Sequence, residues 1–309
     1  WQTANVMKPK NAIFLALTAF IFGISFIAQD EAAEHVGPFT FNCARFAIAF
    51  VVLFATALIA DGVRKKTGHA ESVKKADKTL LLGGLLCGLA LGTAITCQQI
   101  GLADPNMTSG KAGFISACYI IIVPLLGLPL RRRPTAWVWP ALALAIGGLY
   151  LLCLADGFSL SWGDIVMAVC ALMIAVHIML CDYFAPRCDS LKLTCAQCAV
   201  IAVVSLPLMF AFDTPDIAAL GEALPSLLFC GVLASGAAYT FQMIGQVGAN
   251  PTLASMIMSF ESVIAAIAGA LVLGQEMTAA QIAGCAVIFA AVIIAQLPGR
   301  KKKEVTPTK

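Results

Sequence analysis

The chain has 309 residues, 60% of them apolar and only 12% charged, with a formal net charge of +3 and a mean hydropathy of +0.89. Soluble domains carry about 25% charged residues, so a soluble globular class is excluded. The basic residues sit in short blocks beside apolar runs, a pattern that implies a lipid bilayer as partner and no nucleic acid.

Apolar runs able to cross a hydrocarbon core of about 30 Å recur along the whole chain. The expected fold is an all-α integral membrane protein with ten transmembrane helices, near 11–29, 39–60, 79–101, 108–130, 137–155, 163–184, 192–212, 223–246, 252–273 and 278–297. Residues before Met7, WQTANV, do not read as a signal peptide, so the first run is expected to be a true span. Trp137, Trp139 and Trp162 stand at span starts, where interfacial aromatics belong.

This division places 18 of the 20 Lys and Arg residues on one side. Lys8 and Lys10 lie in the N-terminal tail, Arg64, Lys65, Lys66, Lys74, Lys75 and Lys78 follow span two, and Arg131, Arg132 and Arg133 follow span four. Arg187 and Lys192 flank the loop after span six, and Arg300, Lys301, Lys302, Lys303 and Lys309 form the tail. Positive residues concentrate in cytoplasmic loops, so both termini are expected on the cytoplasmic face of a cell membrane.

Most of the twelve Cys lie inside spans and read as small apolar packing residues. Cys195 and Cys198 form a Cys-x-x-Cys, but no second pair or nearby His completes a zinc set, and no metal or cofactor is expected.

Shifting the chain on itself by 144 residues aligns GTAITCQQIG, Gly92 to Gly101, with GAAYTFQMIG, Gly236 to Gly245, and pairs Thr108 with Thr252. The halves, 1–155 and 156–309, then hold five spans each. Five is odd, so the halves face oppositely, an inverted repeat of the kind secondary transporters use around a central site. Gly84, Gly88 and Gly92 recur every fourth residue, allowing close helix approach. Pro124, Pro140, Pro207 and Pro225 are candidate hinges.

The stretch Thr252 to Leu273 carries Glu261 at its middle, about 14 Å from its first residue at 1.5 Å per residue. An ionisable group at mid-depth marks a functional site by default; the plainer alternative is a protonated Glu bonded to a neighbouring helix. Arg45 lies about six residues into span two and Lys111 about three into span four, from the same external side. Lys111 has the alternative of snorkelling to the interface. Two cations and one carboxylate would favour a carboxylate-bearing or zwitterionic ligand. Gln98 and Gln242 match across the repeat and offer amides to a polar ligand, or act as glue between helices. His177 is a candidate proton carrier or a packing residue. Tyr239, Tyr119, Asn42 and Gln29 are further candidates for a polar path, whereas Asp182 and Glu276 read as solvated or capping.

Three segments resemble the EamA-like transporters of the drug/metabolite transporter superfamily. They are FGISFIAQ (Phe22 to Gln29) with the Arg45-Phe46 pair, SGKAGFISACYIIIVPLL (Ser109 to Leu126), and FESVIAAIAGALVLGQEMTAAQIAGCAVIFAAVIIA (Phe260 to Ala295). The resemblance implies ten helices in two inverted repeats, a central cavity, and export of amino acids or related metabolites. The chain departs from it at Phe22, where the family often has Trp, and at Arg132 and Arg133, where it often has Gly-Glu. The expected function is secondary transport of a small polar metabolite, with protons as a candidate coupling ion. The alternatives are a lipid-modifying intramembrane enzyme and a passive channel. No Gly-x-x-x-x-Gly-Lys-Ser/Thr loop is present to drive transport with ATP.

Overall fold

The computed structural model describes residues 7–67, 77–102, 104–105, 109–129, 136–153, 161–272, 277–295 and 297; the side chains at 30, 102, 109–112 and 153 lie outside the description. All regular structure among the described residues is helical. Helices α1 (Pro9–Ala33), α2 (Pro38–Lys66) and α3 (Lys78–Leu102) are followed by a tandem pair, α4 (Ser109–Ala117) and α5 (Tyr119–Gly127), and by α6 (Val138–Cys153). Then come α7 (Trp162–Phe184), α8 (Ser190–Phe212) and the short α9 (Ile217–Glu222). Next, α10 (Leu224–Leu228) runs through a π-helical segment, Phe229–Ala238, into α11 (Tyr239–Gln246). A second tandem pair, α12 (Pro251–Met258) and α13 (Glu261–Val272), precedes α14 (Ala279–Ala295). Seven of these stretches are long and apolar enough to cross a membrane, and three shorter apolar helices, Gly113–Gly127, Val138–Leu152 and Ala279–Ala295, accompany them.

Local chemistry sets the starts. Pro occupies the first turn of α1, α2 and α12, where its missing N–H costs no hydrogen bond. At the start of α7, Asp164 Oδ2 accepts from the N–H of Ser161 at 2.6 Å. Asp189 caps α8 by accepting from the N–H groups of Leu191 and Lys192, and Asn250 caps α12 through Thr252 N. Gly248, at φ +70, makes the left-handed turn that precedes this last cap.

The bundle is apolar outside and polar within. Val51, Phe54 and Leu58 are exposed along α2, while Asn42, Arg45, His177, Gln197 and Gln242 are buried. Such an exterior is costly in water and matches a lipid surround.

Helices α2 and α8 pack antiparallel and are joined at both ends. Where α2 begins and α8 finishes, Asp213 Oδ2 accepts from Thr40 N at 2.7 Å and from Thr40 Oγ1 at 2.8 Å. At the other end, here the basic end, Lys192 Nζ donates to Asp61 Oδ2 at 2.7 Å and Arg64 Nη1 to Asp189 Oδ2 at 3.0 Å. Small residues set the other close approaches. A Cβ on Gly84 would lie 2.5 Å from Ala196 Cβ, and one on Gly88 2.7 Å from Val200 Cβ, so α3 rests directly on α8. A Cβ on Gly284 would lie 2.6 Å from the carbonyl oxygen of Gly148, which fixes the crossing of α14 and α6.

The sequence predicts one continuous helix over Thr252 to Leu273. The structure divides it at Ser259 and Phe260. Ser255 Oγ and Ser259 Oγ donate to the carbonyls of Thr252 and Met256, and the N–H groups of Ser262 and Val263 bond three residues back, to Ser259 and Phe260. Hydroxyls competing for helix carbonyls tighten and break the turn. Span four divides likewise at Cys118, whose Sγ bonds Phe114 O and whose N–H bonds Ile115 O. The second halves restart at Tyr119 and at Glu261.

Candidate functional site: a polar cavity between the broken helices

Both restart residues face one central cavity of about 110 Å³. That is room for several waters or one small metabolite. The cavity is lined by Phe22, Ser25, Phe26 and Gln29 of α1, Arg45 of α2, Gln98 of α3, His177 of α7, and Tyr239 and Gln242 of α11, together with Tyr119 and Glu261. Six residues singled out in the sequence, Glu261, Arg45, Gln98, Gln242, His177 and Tyr239, therefore meet at one place. The backbone of Lys111 lies in α4, and its side chain is outside the described residues. Of the secondary candidates, Tyr119 and Gln29 also line the cavity, Asn42 and Asp182 are buried elsewhere, and Glu276 lies outside the described residues.

Arg45 is 6% exposed. A buried guanidinium requires partners, and here they are neutral. Nη1 donates to Gln29 Oε1 at 3.0 Å, and the cation lies over the rings of Phe41, at 5.3 Å, and Phe46, at 5.0 Å. Gln29 is held in turn, its Nε2 donating to Ser25 O and Ser25 Oγ, each at 3.2 Å. Arg45 Nε has no hydrogen-bond partner among the described residues. From the sequence, the expected partner of Arg45 is Glu261 or a helix carbonyl; among the described residues no ion pair with Glu261 forms, and Gln29 takes that place. Glu261 is half-buried and, among the described residues, meets no hydrogen-bond donor or cation.

The remaining wall is stiff. His177 Nε2 lies 3.1 Å from Gln197 Oε1 and 3.3 Å from Cys181 Sγ. The Tyr239 ring packs on Phe22 at 4.9 Å and edge-on to His177 at 6.1 Å. Gln242, which lines the cavity, donates its Nε2 to Gln246 Oε1 at 3.3 Å. A guanidinium and a carboxyl group thus border one aromatic-walled space without bonding each other.

Sequence reasoning passed over Ser25, Cys181 and Gln197, which hold the charged and titratable groups in place. The available signal was a second internal offset, of 152 residues, that aligns α2 with α8 from Pro38 and Ser190 onward.

A helical bundle with an apolar exterior and a polar centre defines a multi-pass membrane protein. The chain belongs to the EamA-like transporter family, whose model matches residues 10–154 and 161–296. It is 28% identical over 288 residues to an uncharacterized transporter of Archaeoglobus fulgidus, covering 92% of this chain and 84% of the relative. A solved structure described as "Crystal structure of protein" shares the fold, with a TM-score of 0.77 at 18% identity over 93% of this chain and 98% of the other.

Proposed function

We propose that the protein is a secondary carrier, not an enzyme, that moves a small zwitterionic metabolite such as an amino acid across the cytoplasmic membrane by alternating access. The observation that carries this reading is the cavity shared by Arg45 and Glu261, a guanidinium and a carboxyl group that do not bond each other, beside two broken helices. The reading takes ten spans in two inverted five-helix halves, 1–155 and 156–309, with both termini cytoplasmic. The antiparallel packing of α2 on α8, the tandem match of the family model and the one-sided distribution of Lys and Arg support that topology. The export direction rests on the family likeness alone.

In this mechanism Arg45 and Gln29 receive the carboxylate, Glu261 exchanges a proton for the ammonium, and Gln98, Gln242 and Tyr239 bond or stack on the remainder. His177 holds the wall, and Lys111 is kept at the external mouth on sequence grounds. Purified protein in proteoliposomes tests the reading by counterflow of labelled amino acids. Saturable exchange distinguishes a carrier from a channel, and its absence for every amino acid tried would remove the proposed cargo class.

A further inference from the structure

The helix pair α2 and α8 supplies a register for comparing the two halves. Asp61 and Asp213, which join the pair at its opposite ends, are 152 residues apart, and so are their partners Thr40 and Lys192. The same offset pairs Cys43 and Ala44 with Cys195 and Ala196, and Val51 and Val52 with Val203 and Val204.

Carried to the cavity, this register places Ser25, Gln29 and Arg45 onto His177, Cys181 and Gln197. Each trio is bonded within itself. Arg45 donates to Gln29 and Gln29 to Ser25; the imidazole of His177 joins Gln197 and Cys181. Arg45 stands seven residues in from Pro38 at one end of the bundle, and Gln197 seven in from Ser190 at the other. Because α2 and α8 run antiparallel, the two trios are reached from opposite ends of the bundle at equal distances along their helices.

The cavity treats them unequally. Ser25, Gln29 and Arg45 all line it, whereas of the second trio only His177 does. Gln197 and Cys181 are fully buried, and Gln197 Nε2 has no acceptor among the described residues. A buried amide N–H₂ left unpaired in an otherwise bonded cluster points to a partner gained in another arrangement.

We propose that Gln197, His177 and Cys181 form a second, closed polar half-site, which opens toward the basic end in the opposite conformation and there receives the cargo's carboxylate from Arg45 and Gln29. This rests on the carrier reading. The second half-site binds through a neutral amide and an imidazole where the first uses a guanidinium. A guanidinium adds a full positive charge and a fork of N–H donors that an amide and an imidazole lack, so the carboxylate is held more loosely on the basic side.

Two single-cysteine proteins test the proposal, one keeping only Cys181 and one keeping only a Gln29→Cys replacement. Each is reconstituted and treated with a small water-soluble maleimide, and a monodisperse elution profile checks that it is folded. His177→Ala, which removes the bonds closing the second trio, is expected to raise labelling of Cys181 about tenfold and to lower labelling at position 29. A protein keeping both thiols gives a second arm with the trio intact. A bulky maleimide already attached at position 29 should hold the first half-site open and slow Cys181 labelling several-fold. If labelling at position 29 falls while Cys181 never reacts, the half-site assignment is wrong and the carrier reading stands. If both positions stay unchanged or rise together, the two sides do not exchange and both readings fail.

Discussion

Asp61 and Asp213 close the two ends of one antiparallel helix pair, the first through Lys192 and the second through Thr40. The two ends differ in chemistry. Asp213 accepts a backbone N–H and a hydroxyl, while Asp61 pairs with an ammonium at a partly exposed site. Asp213→Ala leaves the Thr40 N–H without its acceptor and is expected to destabilise the protein by about 1–3 kcal/mol. Asp61→Ala should cost about 1 kcal/mol or less, and that cost should shrink in high salt. Thermal unfolding in detergent at two salt concentrations checks the order, and an Asp61 variant weaker than the Asp213 variant at high salt would contradict it.

Acid should loosen the basic end. Burial by itself would raise the carboxyl of Asp189, but the Arg64 guanidinium and the N–H groups of Lys192 and Leu191 outweigh it and hold the carboxyl below its ordinary value. A carboxylate depressed in the folded state contributes stability that is complete above its unfolded value, about 4. That stability is lost as pH falls through the lower folded value. The apparent melting temperature is therefore expected to decline below about pH 4, and Asp189→Asn should flatten the decline. Superimposable profiles of variant and parent down to pH 3 would count against this account.

The two ionisable groups in the cavity should fail differently. Arg45→Ala removes the donor proposed for the carboxylate, so counterflow should drop at least about tenfold, roughly 1.4 kcal/mol of lost binding. Arg45→Lys should recover only part of it, because an ammonium lacks the planar fork that pairs with a carboxylate. Glu261→Gln should abolish net flux, or leave a flux that no longer varies with pH. Unchanged flux with an unchanged pH profile would take Glu261 out of the mechanism.

Gly23 sets how closely α1 approaches the start of α13. A Cβ there would sit 2.5 Å from Ile264 Cβ and 2.8 Å from the carbonyl oxygen of Glu261. Gly23→Ala must push the broken helix aside, and is expected to cost about 1–3 kcal/mol together with transport. Gly62→Ala, with nothing within 4 Å of the added carbon, serves as the control and should be neutral or slightly stabilising, since Ala favours a helix interior by up to about 1 kcal/mol. Equal melting temperatures for the two variants would refute the close approach.

Composition and periodicity alone determined that this chain is a helical membrane protein, where its apolar segments lie, and that Glu261 stands in the middle of one. Those properties depend on residues near one another in the chain, since burial in lipid selects apolar runs of a set length and makes a lone carboxylate conspicuous. Only the tertiary structure decided that Arg45 turns to Gln29 and not to Glu261, and that His177 is tied to Gln197. Each of these depends on which donor of another turn or another helix comes within about 3 Å. The spacing of residues along one chain carries no such distance until the helices are packed.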